Sequence, residues 1–319
     1  MMFALRGIAI SFSVFFILYS ALSFAVCITW RSLARYLCRF PASRYADSLF
    51  FLRMLPIVSS VGVTVVFAVP SFLRFEPRSV KESIGIVGVL GACGVAVLLA
   101  AIWSSTMALV KTSRTVTRWS NHASVLGRHA LNTGQIVPVL RTSMVAPPLT
   151  VAGIIRPRIW LSGLAERMLT PRELHAALQH ELIHVRRRDN LRKLILKFAP
   201  FPGMAQLESA WHEATEMATD DAAVSSASQA LDLAAAVIKL SGLILVPSPA
   251  DLTTALVHTP AELLSVRVQR LIHWKAGRCE AQFSGKYTAF AALGTVVMLG
   301  MCYSEVLVKI HAATECLLK

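Results

Sequence analysis

Four stretches of this chain stay apolar long enough to cross a bilayer: Gly7 to Trp30, Leu55 to Leu73, Ile84 to Val110 and Tyr287 to Tyr303. Each approaches the length that spans roughly 30 Å of hydrocarbon, the last only with its flanks. Pro56 and Pro70 stand near the ends of the second stretch, where a helix in lipid tolerates them. Between the third and fourth stretches the pattern changes to short runs with polar punctuation. Thr150 to Ile155 and Arg158 to Ser162 are β-prone runs separated by Arg156-Pro157, which predicts a hairpin or a pair of strands. Thr170-Pro171-Arg172-Glu173 combines an N-cap threonine, a proline at the first helical position and a capping-box glutamate. Leu174, Ala177, Leu178, Leu182, Ile183 and Val185 then recur at helical spacing. Leu231 to Val246 is apolar but holds Asp232 and Lys239, so it predicts a buried helix, ended by Pro247-Ser248-Pro249, and not a fifth span. Ala261 to Trp274 reads as an amphipathic helix leading towards the membrane.

The pattern predicts a multipass α-helical membrane protein with an inserted α+β domain. A membrane domain at 1–110 carries spans at about 7–30, 55–73 and 84–110. The inserted domain covers 111–280, and 281–319 holds a fourth span at about 287–303 with a short tail. Composition agrees: 55% of the 319 residues are hydrophobic and 16% charged, with mean hydropathy +0.58. The first apolar run exceeds the roughly 7–15 residues of a signal-peptide core, so a retained span is expected.

Lysine and arginine in the short loops set the orientation. Arg31, Arg35, Arg39 and Arg44 follow the first span against Asp47 alone, and Lys111, Arg114 and Arg118 follow the third. The first loop and the inserted domain are therefore expected in the cytoplasm, in the cell (inner, cytoplasmic) membrane. The net charge of +14 suits basic loops that attract anionic lipid headgroups. No nucleic-acid-binding module accompanies it, so direct nucleic-acid binding is not expected. The six cysteines are scattered and form no C-x-x-C, which points away from a disulfide framework and from a thiolate zinc site.

The chemistry is concentrated in His180-Glu181-Leu182-Ile183-His184, an H-E-x-x-H motif inside the predicted helix. At that spacing both imidazoles lie one turn apart on one face, where they can bind a single Zn²⁺. Glu181 then projects beside the metal as a general base for an attacking water. Arg186, Arg187 and Arg188 make the segment too charged to span a bilayer, which places this chemistry in an aqueous or interfacial domain. A third ligand is needed, and Glu216 is the leading candidate. Glu216 and Asp220 share a helix face, so a His₂Glu set would leave one position open while Asp220 orients a ligand histidine. His212, Glu208, Glu213 and Asp221 are competing candidates on the same segment.

The stretch from Val151 to Val224 resembles the BlaR/MecR-type membrane metallopeptidases, the family of the beta-lactam-sensing antirepressor proteases. Four parts carry the resemblance: Gly153 to Leu161, Leu174 to His184, Arg188-Asp189-Asn190, and Glu216 to Asp221. Arg267-Val268-Gln269-Arg270-Leu271 is similar to a further recurring segment of the family. The resemblance implies a zincin-like (gluzincin) fold, with His180, His184 and Glu216 as zinc ligands, Glu181 as catalytic base and Asp220 supporting a ligand. Thr219 stands where many members have cysteine. Only a short tail follows the fourth expected span, so the family's extracellular penicillin-binding sensor is not expected.

These readings converge on a membrane zinc endopeptidase acting in signal transduction. By resemblance its substrate is a cytoplasmic regulatory protein such as a winged-helix repressor. The alternatives are a membrane quality-control metalloprotease and a non-catalytic scaffold or transducer. By analogy with other zinc peptidases, one of the strands before the motif is expected to hold an extended substrate, unless both are ordinary core strands. The sequence leaves the activating signal and the oligomeric state open.

Overall fold

The computed structural model describes residues 2–76, 85–130, 136–142, 147–243, 252–256 and 261–275, with 308, 309 and 312. The expected fourth span and Pro247-Ser248-Pro249 lie outside the described residues. Helix α1 covers Met2–Leu37 and α2 covers Ala42–Val63. A π-helical turn, Thr64–Ala68, joins α2 to α3 at Val69–Phe75, and α4 covers Gly85–Ser120. Four strands follow: β1 (Ala123–Ala130), β2 (Ile136–Thr142), β3 (Leu149–Ala152) and β4 (Arg158–Ser162). Next come α5 (Gly163–Met168), α6 (Pro171–Arg187), α7 (Asp189–Lys197), α8 (Ala205–Ala223) and α9 (Ala227–Ser241). Strand β5 (Thr253–Ala255) and α10 (Ala261–Ile272) complete the described elements.

Among the described residues, three helical stretches are long and apolar enough to cross a membrane: Met2–Leu37, Ala42–Phe75 and Gly85–Ser120. All exceed the apolar runs from which they were expected, and in the first two the added turns carry charges with partners in the protein, Arg31 with Gln206 and Asp47 with Arg192. Arg31, Arg35, Arg44 and Asp47, expected in a loop, are helical. Helices α1 and α4 approach closely where side chains vanish: a Cβ on Gly94 would lie 2.5 Å from the Phe12 carbonyl oxygen. The Ser13 hydroxyl donates across the same contact to the Val87 carbonyl at 2.7 Å. The π turn immediately precedes α3, which has Pro70 in its first turn. Pro70 has no N–H for the next rung of the ladder, and Val69 N–H reaches back five residues to Thr64 O.

The sheet is mixed, in the order β1-β2-β4-β3-β5. Strands β3 and β4 form the expected antiparallel hairpin, with Leu149 opposite Leu161 and Ala152 opposite Arg158. Its turn requires Gly153, which has φ +101° and whose Cβ would meet the Arg156 carbonyl oxygen at 2.9 Å. Both strands are interior: β4 also pairs with β2 in parallel, and β3 pairs with β5. The expectation of a free substrate-holding edge on one of them is therefore corrected. They are core strands, and the edges of the described sheet are β1 and β5.

One apolar core joins β2, β3 and β4 to α5, α6, α9 and α10, through residues such as Val139, Val151, Ile159, Ala177, Leu182, Val237 and Leu271. A second joins the membrane helices to α7 and α8 through Val26, Leu49, Leu196, Leu207 and Trp211. Polar contacts cross the same junction. Arg53 donates to Glu208 Oε1 from Nε at 3.0 Å and Nη2 at 2.9 Å, and Tyr19 donates to the Pro200 carbonyl at 2.8 Å. Asp47 accepts from Arg192 at 2.6 Å and Arg187 at 3.5 Å. Arg187 thus turns inward, while Arg186 and Arg188 remain exposed.

Candidate metal centre

The start of α6 is fixed by local chemistry. Thr170 Oγ1 accepts from Glu173 N–H at 3.4 Å, and Glu173 accepts from Thr170 N–H at 2.8 Å. Pro171 occupies the first helical position, where its missing N–H costs nothing. Helix periodicity then carries His180 and His184 onto one buried face, 0% and 2% exposed. The helix stops at Arg188, which adopts a left-handed conformation at φ 55° and ψ 41°, and α7 begins at the next residue. That abrupt turn brings Asp189 under His184, with Oδ2 2.7 Å from His184 Nδ1. Asn190 pins the same turn to the sheet by donating to the carbonyls of Val151 and Gly153.

Helix α8 brings Glu216 to the same point. His180 Nε2 and His184 Nε2 lie 3.1 Å apart, and each is 3.5 Å from a different oxygen of Glu216. His180 Nδ1 is 3.0 Å from Asp220 Oδ1. A carboxylate lies beside the Nδ1 of each ring, which favours a proton there, and both Nε2 atoms face one buried space. Two lone pairs and a carboxylate so close repel one another unless a cation lies among them. Ligand atoms of His180, His184 and Glu216 all lie within 4.8 Å of one another, and two imidazoles with a carboxylate suit zinc. The residues present therefore fit a metal ion. His212 and Glu213 are exposed, Glu208 pairs with Arg53, and Asp221 pairs with Arg270. None of these four alternatives belongs to the cluster.

The electrostatics are those of a dry, crowded site. Glu181 is fully buried, and neither of its oxygens has a hydrogen-bond partner among the described residues. Burial pushes its carboxyl up to about 8, opposed by His180 and reinforced by Glu216. Burial alone would lower His180, but Asp220 and Glu216 raise it to about 9. Burial would also raise Glu216 and Asp220, yet the Arg267 guanidinium and the neighbouring histidines together outweigh it and hold both below the usual carboxylate range. Thr219, where a cysteine is usual in the family it resembles, is buried; its hydroxyl donates to the Thr215 carbonyl at 2.8 Å and lies 3.5 Å from His184 Nδ1. A cavity of about 330 Å³ opens beside His184, lined by Val151, Gly153, Ile155, Arg188 and Asn190 among others.

Two residues at this centre were not singled out as site residues from sequence. Asp189 lies five residues after His184, a spacing that only an abrupt helix end makes useful. Arg267 left a stronger signal: it falls on the same helical stripe as Leu263 and Leu271, and a charge within a buried stripe requires a buried partner.

A buried His-His-Glu cluster, joined to three helices suited to crossing a membrane, defines a membrane metallopeptidase. Residues 51–263 match the family described as BlaR1 peptidase M56, and the chain belongs to that family. No curated protein matches the chain.

Proposed function

We propose that this protein is a multipass zinc endopeptidase. Its zincin-like domain, residues 111–280, faces the cytoplasm, and a fourth span lies within 281–319. The convergence of His180, His184 and Glu216 around one space, beside a Glu181 carboxyl without a hydrogen-bond partner among the described residues, carries this reading. His180, His184 and Glu216 hold the zinc, while Asp220 and Asp189 orient the two rings. When bound, zinc supplies Lewis acidity, polarising a carbonyl and making water acidic enough to lose a proton near neutral pH. Glu181 holds the proton taken from the attacking water and passes it to the leaving nitrogen. A carboxylate beside the reacting water can accept its proton and return it to the leaving group. The cavity beside His184 gives room for a substrate residue next to the reacting bond.

The substrate we propose is a cytoplasmic regulatory protein, in the class of winged-helix repressors. Family membership supports the reaction, and resemblance alone supports the substrate. Zinc content and cleavage of a cytoplasmic protein panel, compared for the wild type and Glu181→Gln in nanodiscs, test it. One zinc in both proteins, with a defined product only in the wild type, is expected. A wild type that folds but takes up no zinc overturns the reading.

A further inference from the structure

Arg267 is fully buried on α10, a helix far in sequence from the motif. Every nitrogen of its guanidinium is engaged. Nε and Nη2 donate to Asp220 Oδ2 and Oδ1, both at 2.8 Å. Nη1 donates to the Leu256 carbonyl at 2.8 Å and lies 3.1 Å from Glu216 Oε2. One planar group therefore holds both carboxylates that α8 brings to the centre. Such a bidentate grip fixes orientation as well as charge, because the fork and the carboxylate must be coplanar.

The two oxygens of Glu216 are consequently unequal. Each faces one histidine at 3.5 Å, Oε2 the Nε2 of His180 and Oε1 the Nε2 of His184, but Oε2 is also ion-paired with the guanidinium, whereas no lysine or arginine among the described residues is paired with Oε1. A carboxylate free on both sides readily gives a metal ion two oxygens, and a second oxygen would fill the position that a catalytic zinc keeps open. We propose that Arg267 is a positioning residue that restricts Glu216 to one donor oxygen, Oε1, and so preserves the open coordination position. The same grip holds Asp220 Oδ1 near His180 Nδ1, so one residue of α10 disciplines two of the three ligands. This deepens the peptidase reading and rests on it.

Cobalt(II) substitution gives a readout separate from cleavage, since its visible absorption is intense in four-coordinate sites and weakens several-fold at higher coordination. The wild type, Arg267→Met, Arg267→Lys and Arg270→Gln are loaded in detergent and compared. Arg270 pairs with Asp221 and leans on Met217, outside the cluster. The expected result is an intense band in the wild type and Arg270→Gln, and a several-fold weaker band in Arg267→Met. Arg267→Lys stays weak too, because one ammonium cannot span Asp220 and Glu216. An unchanged band in a folded Arg267→Met overturns the proposal. Should that variant fail to fold, zinc X-ray absorption of the wild-type protein decides: one carboxylate oxygen at the metal is expected, and two overturn it. A wild type that binds neither metal defeats the peptidase reading itself, a different failure.

Discussion

Asp189 and Asp220 act on the two histidines from opposite sides, and they come from different helices. Asp189 lies 2.7 Å from His184 Nδ1 and is completely buried. Replacing it by Asn removes the charge while keeping the shape. Zinc affinity of Asp189→Asn, measured by chelator competition, is expected to fall by about 10–100-fold, the usual effect of losing such a partner. An affinity within a factor of two of the wild type would show that the ring needs no such support. At this scale the chain was unevenly legible. The spacing of His180, Glu181 and His184 speaks directly, because helix geometry alone puts both rings on one face. Glu216 and Asp220 follow the same rule four residues apart. Asp189 was illegible because its position depends on Arg188 adopting a left-handed backbone, which nothing about arginine announces. Arg267 could have been found by asking why a charge sits between Leu263 and Leu271.

Among the elements, α6 was the clearest in sequence, since its cap is written in four consecutive residues. Its stability also has a pH signature. Burial alone would raise the Glu173 carboxyl, but the Lys239 ammonium at 2.7 Å and the Thr170 cap together lower it from 4.5. A carboxylate lowered on folding stabilises the fold above its ordinary value, and the contribution is lost as the pH falls through the lower folded value. The wild type should therefore exceed Glu173→Gln by about 1 kcal/mol at neutral pH, a cap with a partly exposed ion pair. Thermal unfolding of the two proteins should converge once the pH drops well below 4.5. A constant difference across that range would mean that charge has no part in it. Other elements left weaker traces. Strand β2 contains Pro138 and β1 contains Gly127, which break the alternation, and β5 has only three residues. Helix α2 was expected to begin at Leu55, because counting apolar residues stops at a charge. Its first turns hold Asp47 and Arg53, whose partners lie on α6, α7 and α8, far away in sequence.

For the whole molecule, the decisive arrangement is the seat of the catalytic layer on the membrane helices, and no local pattern predicts it. Arg53 is 2% exposed, while the Glu208 side chain is 36% exposed. The pair is therefore asymmetric. Glu208→Ala strands a buried guanidinium and should cost about 2–3 kcal/mol, below the full penalty because Arg53 keeps the Ala199 carbonyl. Arg53→Met leaves a carboxylate that water can reach, and should cost less than half as much. Unfolding of both variants in the same detergent measures the difference, and equal losses would contradict the burial pattern. Glu208 lies on α8, the helix of Glu216 and Asp220, and Asp47 grips the turn that carries Asp189. Movement of α2 in the bilayer would thus reach both halves of the metal centre.

The separation of Arg267 from its partners also has a consequence in time. Ribosomes add about 5–20 residues per second, so the roughly fifty residues between Asp220 and Arg267 take about 3–10 seconds to make. During that interval a nascent chain already holds both histidines, Glu181 and Glu216, but not the guanidinium that lies against Glu216 and Asp220. The two carboxylates of α8 meet their guanidinium only once α10 has been made, after the rest of the cluster has been synthesised.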